Sequence, residues 1–466
     1  MLNTLIYQRI SYVWLFFVSL HPQKIITEKH MSENKRESFG GKLSVILVAA
    51  GSAIGLGAIW RFPYIAGEHG GAAFLLVFLL SVLVVGIPAM LAEFAIGRKT
   101  RKNAVGAFRA ISKRWSWLGY CGVLCALFIS GYYYLIAGWS LEYLVNSATG
   151  ELYSSALPFT EQFKEFQASW RPLIYGIIFI LMTYIIVSRG VEKGIEKASK
   201  IMMPMLFIIL IVMAVRVAFM PGAAEGYRFF LSCDFAEAFK PKTIMMAIGQ
   251  AFFSLSVGMG CMVTYASYFK KNNNLVTTSL NVSFLTLLVS VLAGLVIFPA
   301  VFSAGIEPSE GPSLVFVTLP EIFNGMPLAS LWSTIFFILV MLASLTSTIS
   351  FNEVLTAYFA EEFKLSRRAA AITTMGLSVA LSALTFSKLF GVDYLDVFDK
   401  LTANVMMPLG AMFTCILVSW FLEKGFMQNE LTNGNTLNKH VSKVLMFMLK
   451  YITPLLIFYI FIMNLL

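Results

Sequence analysis

The chain has 466 residues, of which 58% are hydrophobic and only 13% charged, with a net charge of +10. Such a composition excludes a string of soluble domains and fits one integral membrane domain. The positive charge does not mark a nucleic-acid binder, because lysines and arginines sit in short loops between apolar runs, where they set membrane orientation.

Residues 1–30 come first. Tyr12 to Leu20 is apolar but too short to span, and no small-residue cleavage site follows it. Met31 then opens the polar string M-S-E-N-K-R-E-S-F-G-G, so translation is expected to begin at Met31, with 1–30 upstream. An interfacial anchor helix is the other reading of that stretch. The N-terminal segment 1–35 is therefore set apart from a single membrane domain over 36–466.

A spanning helix needs roughly 20 predominantly apolar residues. Eleven segments qualify, at about 43–66, 71–97, 118–145, 172–188, 199–220, 243–269, 277–303, 329–359, 369–387, 394–422 and 445–466. The loops alternate in charge. Arg98, Lys99, Arg101, Lys102, Arg109, Lys113 and Arg114 share one loop. Arg189, Lys193, Lys197 and Lys200, then Lys270 and Lys271, then Lys364, Arg367 and Arg368 fall on the same side. The loop 304–327 carries Glu307, Glu310 and Glu321 without lysine or arginine. The positive-inside rule then places the N-terminus in the cytoplasm, and an odd helix count places the C-terminus outside.

Two of these segments are interrupted by glycine, at A-A-G-S-A-I-G-L-G-A-I-W-R-F-P (Ala49 to Pro63) and F-F-S-L-S-V-G-M-G (Phe252 to Gly260). In hydrocarbon an unpartnered amide costs several kcal/mol, so helices break only where protein or a water-filled cavity satisfies the freed groups. One such break in each half of the chain points to a transporter with its substrate and ions held near the membrane midplane.

Intramembrane charge and hydroxyl runs need a reason. Arg61 near the outer end of the first span and Asp399 near the outer start of the tenth can pair across a vestibule. Glu93, deep in the second span, is read as a carboxylate that accepts amides freed by a broken helix, a structural support for a site. The eighth span carries M-L-A-S-L-T-S-T-I-S (Met341 to Ser350), and the third carries Tyr132, Tyr133 and Tyr134. Alone, such hydroxyls back-bond to the preceding turn or join helices. Beside broken helices they can supply oxygen ligands to a hard cation or a hydrogen bond to an anionic substrate. Five cysteines show no metal-ligand spacing, and neither a phosphate-binding G-x-x-x-x-G-K-[ST] nor an H-E-x-x-H pattern occurs. No nucleophile–base pair points to an enzyme.

These strings closely resemble the neurotransmitter:sodium symporter family from about Arg36 to the C-terminus. The likeness rests on G-x-x-x-G-L-G-x-x-W-R-F-P (Gly51 to Pro63), E-x-G-G-x-x-F (Glu68 to Phe74), E-F-A-I-G-R (Glu93 to Arg98), G-Q-A-F-F-S-L-S-V-G-M-G with T-Y-A-S-Y (Gly249 to Tyr268), and L-T-S-T (Leu345 to Thr348). It implies an all-α membrane protein with the LeuT-type 5+5 inverted repeat, helices 1 and 6 unwound, and eleven transmembrane helices as in bacterial members. The first repeat would run over about 42–220, the second over about 243–422, and an extra helix over about 445–466. Gly194 and Pro204 match a family element that lets the fifth helix unwind inward.

The resemblance also implies roles. A second sodium site would use carbonyls of Gly51, Ile54 and Ala343 with hydroxyls of Thr346 and Ser347. The substrate amine would meet carbonyls of Ala53, Phe253 and Ser254. Its carboxylate would face the amides of Leu56 and Gly57 at a half-helix N-terminus, and the Tyr133 hydroxyl. Ile129, Phe253, Ser256, Met259, Ser350 and Phe351 would line the side-chain pocket. Gly55 stands where amine-carrying relatives have aspartate, which favours substrates that bring their own carboxylate. Flexible Met259 suits bulky hydrophobic or aromatic L-amino acids. The outer gate would be Arg61 with Asp399 under Phe253, and the inner gate Arg36 with Glu361 near Tyr268.

Two departures stand out. The first sodium site retains Ala53, Ser254 and Thr286, with Ala58 and Thr286 where the family has asparagines. Ser290, Gln250 and Ser254 match a chloride site, yet its tyrosine is Phe78. Sequence therefore leaves chloride open beside sodium as the coupling ion. The resemblance implies an alternating-access importer in the bacterial inner membrane, with an amino acid and membrane lipid as partners and no obligate protein partner. A substrate-sensing receptor on the same scaffold and a channel are the alternatives.

Overall fold

The computed structural model describes residues 36–305, 314–423, 425–433 and 439–465. The expectations about Met31 and residues 1–30, and the acidic positions Glu307 and Glu310, lie outside the described residues. Among the described residues the chain is helical, with no strand.

The apolar runs fold as predicted, because each is long enough to satisfy its own backbone and apolar on most of its circumference. The spans are α1 (Lys42–Ala53) and α2 (Gly57–Glu68), then α3 (Ala72–Thr100) and α4 (Lys113–Thr149). They continue with α5 (Arg171–Val187), α6 (Val191–Ala218), α7 (Pro241–Ser254) and α8 (Cys261–Ala266). The last five are α9 (Leu275–Ser303), α10 (Ala329–Glu362), α11 (Arg367–Ser387), α12 (Tyr394–Phe421) and α13 (Ser442–Met463). Eight of these helices are individually long and apolar enough to cross a membrane. Two further spans are bent pairs: α1 with α2 at 53°, and Phe159–Ala168 with α5 at 75°. Helices α7 and α8, parted by residues 255–260, complete the eleven segments.

Burial sorts the helices by task. Helices α4 and α10 pack along each other with 78% of their most apolar windows buried, whereas α6, α11 and α13 bury only 33%, 33% and 22%. The latter present Ile201, Ile208, Ile211, Ile372 and Leu455 outward, as helices facing lipid do. The two broken pairs sit inside, with Ala53, Ile54, Leu56, Leu255 and Met259 all at most 2% exposed. Short polar contacts between serine, threonine, asparagine and tyrosine fix the inner helices to one another: Thr183 to Thr348 at 2.9 Å, Ser147 to Ser333 at 2.7 Å, and Asn352 donating to Tyr134 at 3.3 Å. With no hydrophobic drive between helices in lipid, such bonds and close packing hold the bundle.

Candidate functional site

The site begins with one helical hydrogen bond that is not made. In an unbroken helix the Leu56 N–H would donate to the Ser52 carbonyl four residues earlier. Between α1 and α2 the chain turns away, and each half finds a side chain instead. The Leu56 N–H donates to the Tyr133 hydroxyl of α4 at 3.1 Å, and the Ser52 carbonyl accepts from the Ser256 hydroxyl at 2.8 Å. Ser256 lies in the second break with φ 52°. The two breaks are thus joined directly, each satisfying buried groups that the other or a neighbour exposes.

The second break is wider. Gly258 and Gly260 have φ of 87° and 77°, conformations that cost a side-chain-bearing residue roughly 1–2 kcal/mol. The Gly258 N–H donates to a Glu93 carboxylate oxygen at 2.6 Å, with Glu93 only 2% exposed. This is the contact expected of Glu93 from its place in α3.

Between the breaks lies a small cavity, lined by Ser52, Ala53, Gly55, Gly57, Ile129 and Tyr133 together with Phe253, Ser256, Met259, Ser347 and Phe351. Ile129, Met259 and Phe351 give the lining apolar surface, and Phe351 packs edge-on against Tyr133 with ring centroids 5.0 Å apart. Gly55 is demanded by space: a methyl group there would come 1.9 Å from the Ser347 hydroxyl oxygen.

A cluster of oxygens lies beside the cavity. The Thr346 hydroxyl bonds the Ala343 carbonyl at 2.9 Å and the Ile54 carbonyl at 3.0 Å. Gly51 adjoins Thr346, since a methyl group on Gly51 would stand 3.7 Å from the Thr346 Cβ. Thus Gly51, Ile54, Ala343 and Thr346 are brought together where the first break meets α10, and Ser347, the next residue of α10, has its hydroxyl against Gly55. Carbonyls and hydroxyls are the hard ligands a small hard cation prefers, and among the described residues no cluster of His, Cys, Asp and Glu offers another metal site.

Other predicted residues lie differently. Ser350 does not line the cavity; its hydroxyl accepts from Tyr265 at 2.8 Å and donates to the Thr346 carbonyl at 3.0 Å. Gln250 donates to the Gly57 carbonyl at 2.7 Å and to the Ser254 hydroxyl at 3.0 Å. Thr286 spends its proton on the Val282 carbonyl of its own helix at 2.9 Å. Ser290 Oγ and Gln250 Oε1 are buried without a hydrogen-bond partner.

On one side of the cavity Arg61 stacks over the Phe253 ring at 4.6 Å. Asp399 accepts from the Tyr132 hydroxyl at 3.0 Å and makes no direct ion pair with Arg61. On the opposite side Arg36 forms an ion pair with Glu361 and lies over the Tyr268 ring at 4.5 Å. Glu361 also accepts from the Asn103 backbone and side chain at 2.8 and 3.0 Å. Sequence reasoning passed over Glu353. It is fully buried, accepts from Tyr268 at 2.5 Å and pairs with Arg367 at 2.6 Å. A glutamate inside the long apolar run of α10 was the signal available.

The profile of the sodium:neurotransmitter symporter family matches residues 36–166 and 156–466. The chain belongs to the sodium:neurotransmitter symporter family. An uncharacterised sodium-dependent transporter of Bacillus subtilis, YhdH, is 36% identical over 443 residues, covering 92% of this chain and 98% of its own length. A sodium- and chloride-dependent GABA transporter 2 of Bos taurus is 27% identical over 439 residues, covering 83% of this chain and 73% of its own. The crystal structure of MhsT in complex with L-phenylalanine shares 39% identity and a TM-score of 0.85, covering 92% of this chain and 99% of MhsT. As a member of this symporter family, the chain is a multi-pass membrane transporter coupled to sodium, with the LeuT-type fold and a small-molecule substrate.

Proposed function

We propose that this symporter imports bulky hydrophobic or aromatic L-amino acids. The observation that carries the reading is the mixed lining of the cavity, polar groups beside apolar side chains. Tyr133 and the start of α2 meet the cavity beside the apolar side chains of Ile129, Phe253, Met259 and Phe351. An amino-acid carboxylate would take over the Leu56 amide that Tyr133 now accepts, leaving the tyrosine free to donate to it. The amine would meet carbonyls of Ala53, Phe253 and Ser254, and Gly55 supplies no competing carboxylate. The L-phenylalanine bound in MhsT supports this class.

Gly51, Ile54, Ala343, Thr346 and Ser347 form the coupling sodium site in this reading. Ala53, Ser254 and Thr286 form a weaker one, because a methyl group replaces an amide at Ala58 and the Thr286 proton is already committed. Arg61, Phe253 and Asp399 close the outer side, and Arg36, Glu361 and Tyr268 the inner. The membrane is the bacterial inner membrane, with the N-terminus cytoplasmic and the C-terminus outside. At the chloride position both Gln250 amide protons are used, and Phe78 brings no hydroxyl, which supports chloride-independent uptake.

Uptake of radiolabelled amino acids into proteoliposomes tests the whole reading. Phenylalanine, tryptophan and leucine are expected to accumulate with an inward sodium gradient, and to do so equally when gluconate replaces chloride. Binding without accumulation would instead mark a receptor.

A further inference from the structure

Where the end of α12 meets α13 stands a lysine that none of the roles above employs. Lys450 lies on a π-helical turn, Met448–Ile452, which packs beside a second such turn, Leu417–Phe421. Turns of this kind close their hydrogen bonds over one residue more than an α-turn and occur mostly at functional positions. The Trp420 indole N–H donates to the Lys450 carbonyl at 3.0 Å and ties the two turns together. The Lys450 ammonium then sits 4.5 Å from the Trp420 ring centre and 5.4 Å from that of Tyr451. The two rings stand at 83° with centroids 5.6 Å apart, so they form a corner around the charge.

What the corner lacks is an oxygen. An ammonium carries three N–H donors, and ring faces attract the charge without replacing an anionic acceptor. Among the described residues Lys450 makes no ion pair and its ammonium no hydrogen bond. Glu423, three residues beyond Trp420, is exposed and unpaired. The surroundings are those of a membrane edge. Trp115, which follows the basic loop, packs on Phe421 with centroids 5.2 Å apart, so the corner lies on the side of Lys113 and Arg114, both exposed. Lys443, also exposed, precedes Lys450 by two helical turns, about 10 Å along α13. In the other direction Tyr451, Leu455 and Phe458 follow helical spacing and remain 46%, 65% and 47% exposed. The strip therefore runs from positive charge at the membrane edge to apolar surface within the bilayer.

We propose that Trp420, Lys450 and Tyr451 seat the headgroup of an anionic phospholipid, its phosphate on the Lys450 ammonium and its acyl chains along Leu455 and Phe458. A lysine held near a membrane surface draws anionic headgroups, and aromatic rings at that depth accept both the polar and the apolar part of a lipid. The apolar strip below the charge selects a lipid over a soluble phosphate. Which leaflet supplies it rests on the orientation proposed above; the preference for an anionic headgroup does not.

Native mass spectrometry of the full chain, titrated with phosphatidylglycerol or phosphatidylcholine of matched acyl chains, tests this. Phosphatidylglycerol is expected to bind at the lower concentration. Lys450→Gln should weaken its binding about fivefold and leave phosphatidylcholine unchanged, while Lys450→Arg keeps the preference. Trp420→Phe, which loses the bond to the Lys450 carbonyl, should fall between. A second reading uses the unsubstituted protein in nanodiscs. The fluorescence that Trp420→Phe removes should be quenched by brominated phosphatidylglycerol at a lower mole fraction than by brominated phosphatidylcholine. Undiminished preference in Lys450→Gln overturns the proposal, and so does equal weakening of both lipids, which would mark general contact with the bilayer. Displacement of phosphatidylglycerol by soluble glycerol phosphate would make the corner a phosphate site and overturn its assignment to lipid. None of these readouts involves uptake, so their failure leaves the transport reading standing.

Discussion

The two helix breaks meet at one cavity but are built on different grounds. The first spans only residues 54–56 and has no residue with positive φ, and its glycines serve as space. Gly55 yields room to Ser347, and Gly57 yields room to Phe253, whose ring would come 2.7 Å from an added methyl group. The second spans 255–260, and there Ser256, Gly258 and Gly260 all adopt left-handed backbone. Its glycines serve as conformation. A side chain can yield to a methyl group, but a backbone dihedral has nowhere to go, so the second break should tolerate substitution far less than the first.

Gly258→Ala is the most severe way to press that difference. It combines positive φ with a methyl group 2.1 Å from the Met407 carbonyl oxygen, and should lose folded protein by size-exclusion profile and thermal unfolding. Gly55→Ala should remain folded with Ser347 displaced, and lose uptake instead. Equal melting temperatures for the two would sink the distinction.

Next in size is Thr346→Ala combined with Ser347→Ala, which removes two of the five proposed oxygens from a dehydrated cation. Sodium-driven uptake should vanish in a protein that still inserts and unfolds near the normal temperature. Retained sodium dependence would place the coupling ion elsewhere.

Tyr133→Phe leaves the Leu56 amide without its acceptor and removes a donor to the carboxylate. A bond to a charged group contributes about 1.5–3 kcal/mol, so substrate affinity should fall about tenfold or more. Scintillation proximity binding reads this, and unchanged affinity would make the ring a packing element only.

Ser256 sharpens the comparison within a single position. Alanine keeps the strained backbone and loses the bond to Ser52, at a cost of about 1 kcal/mol. Glycine loses the same bond and gains roughly 1–2 kcal/mol from relief of the backbone. Ser256→Gly should therefore unfold at or above the temperature of Ser256→Ala, with substrate binding weakened in both. The smallest effect is expected at the altered first sodium site. Sodium activation of uptake should show a Hill coefficient near one, and reversal potentials that require two sodium ions per substrate would refute this.

Composition and pattern carried much of the architecture. Apolar runs of spanning length can only become helices in a bilayer, because every backbone group must find a partner inside its own segment. The same rule made the glycine strings at Gly51 to Gly57 and Gly258 to Gly260 legible as breaks, and made Glu93 legible as an acceptor for a freed amide. The string motifs brought the family with them, and so the cluster around Thr346. What remained out of reach were contacts whose partners are distant in sequence. Ser256 on the Ser52 carbonyl, Tyr265 on Ser350, Glu353 with Arg367, and Glu196 on Gly40 and Ser44 join residues on separate helices. A hydroxyl or carboxylate in an apolar run announces that it needs a partner, but not which one. The choice depends on helix rotation and depth, and these are set by packing between neighbours rather than by the period of any one segment.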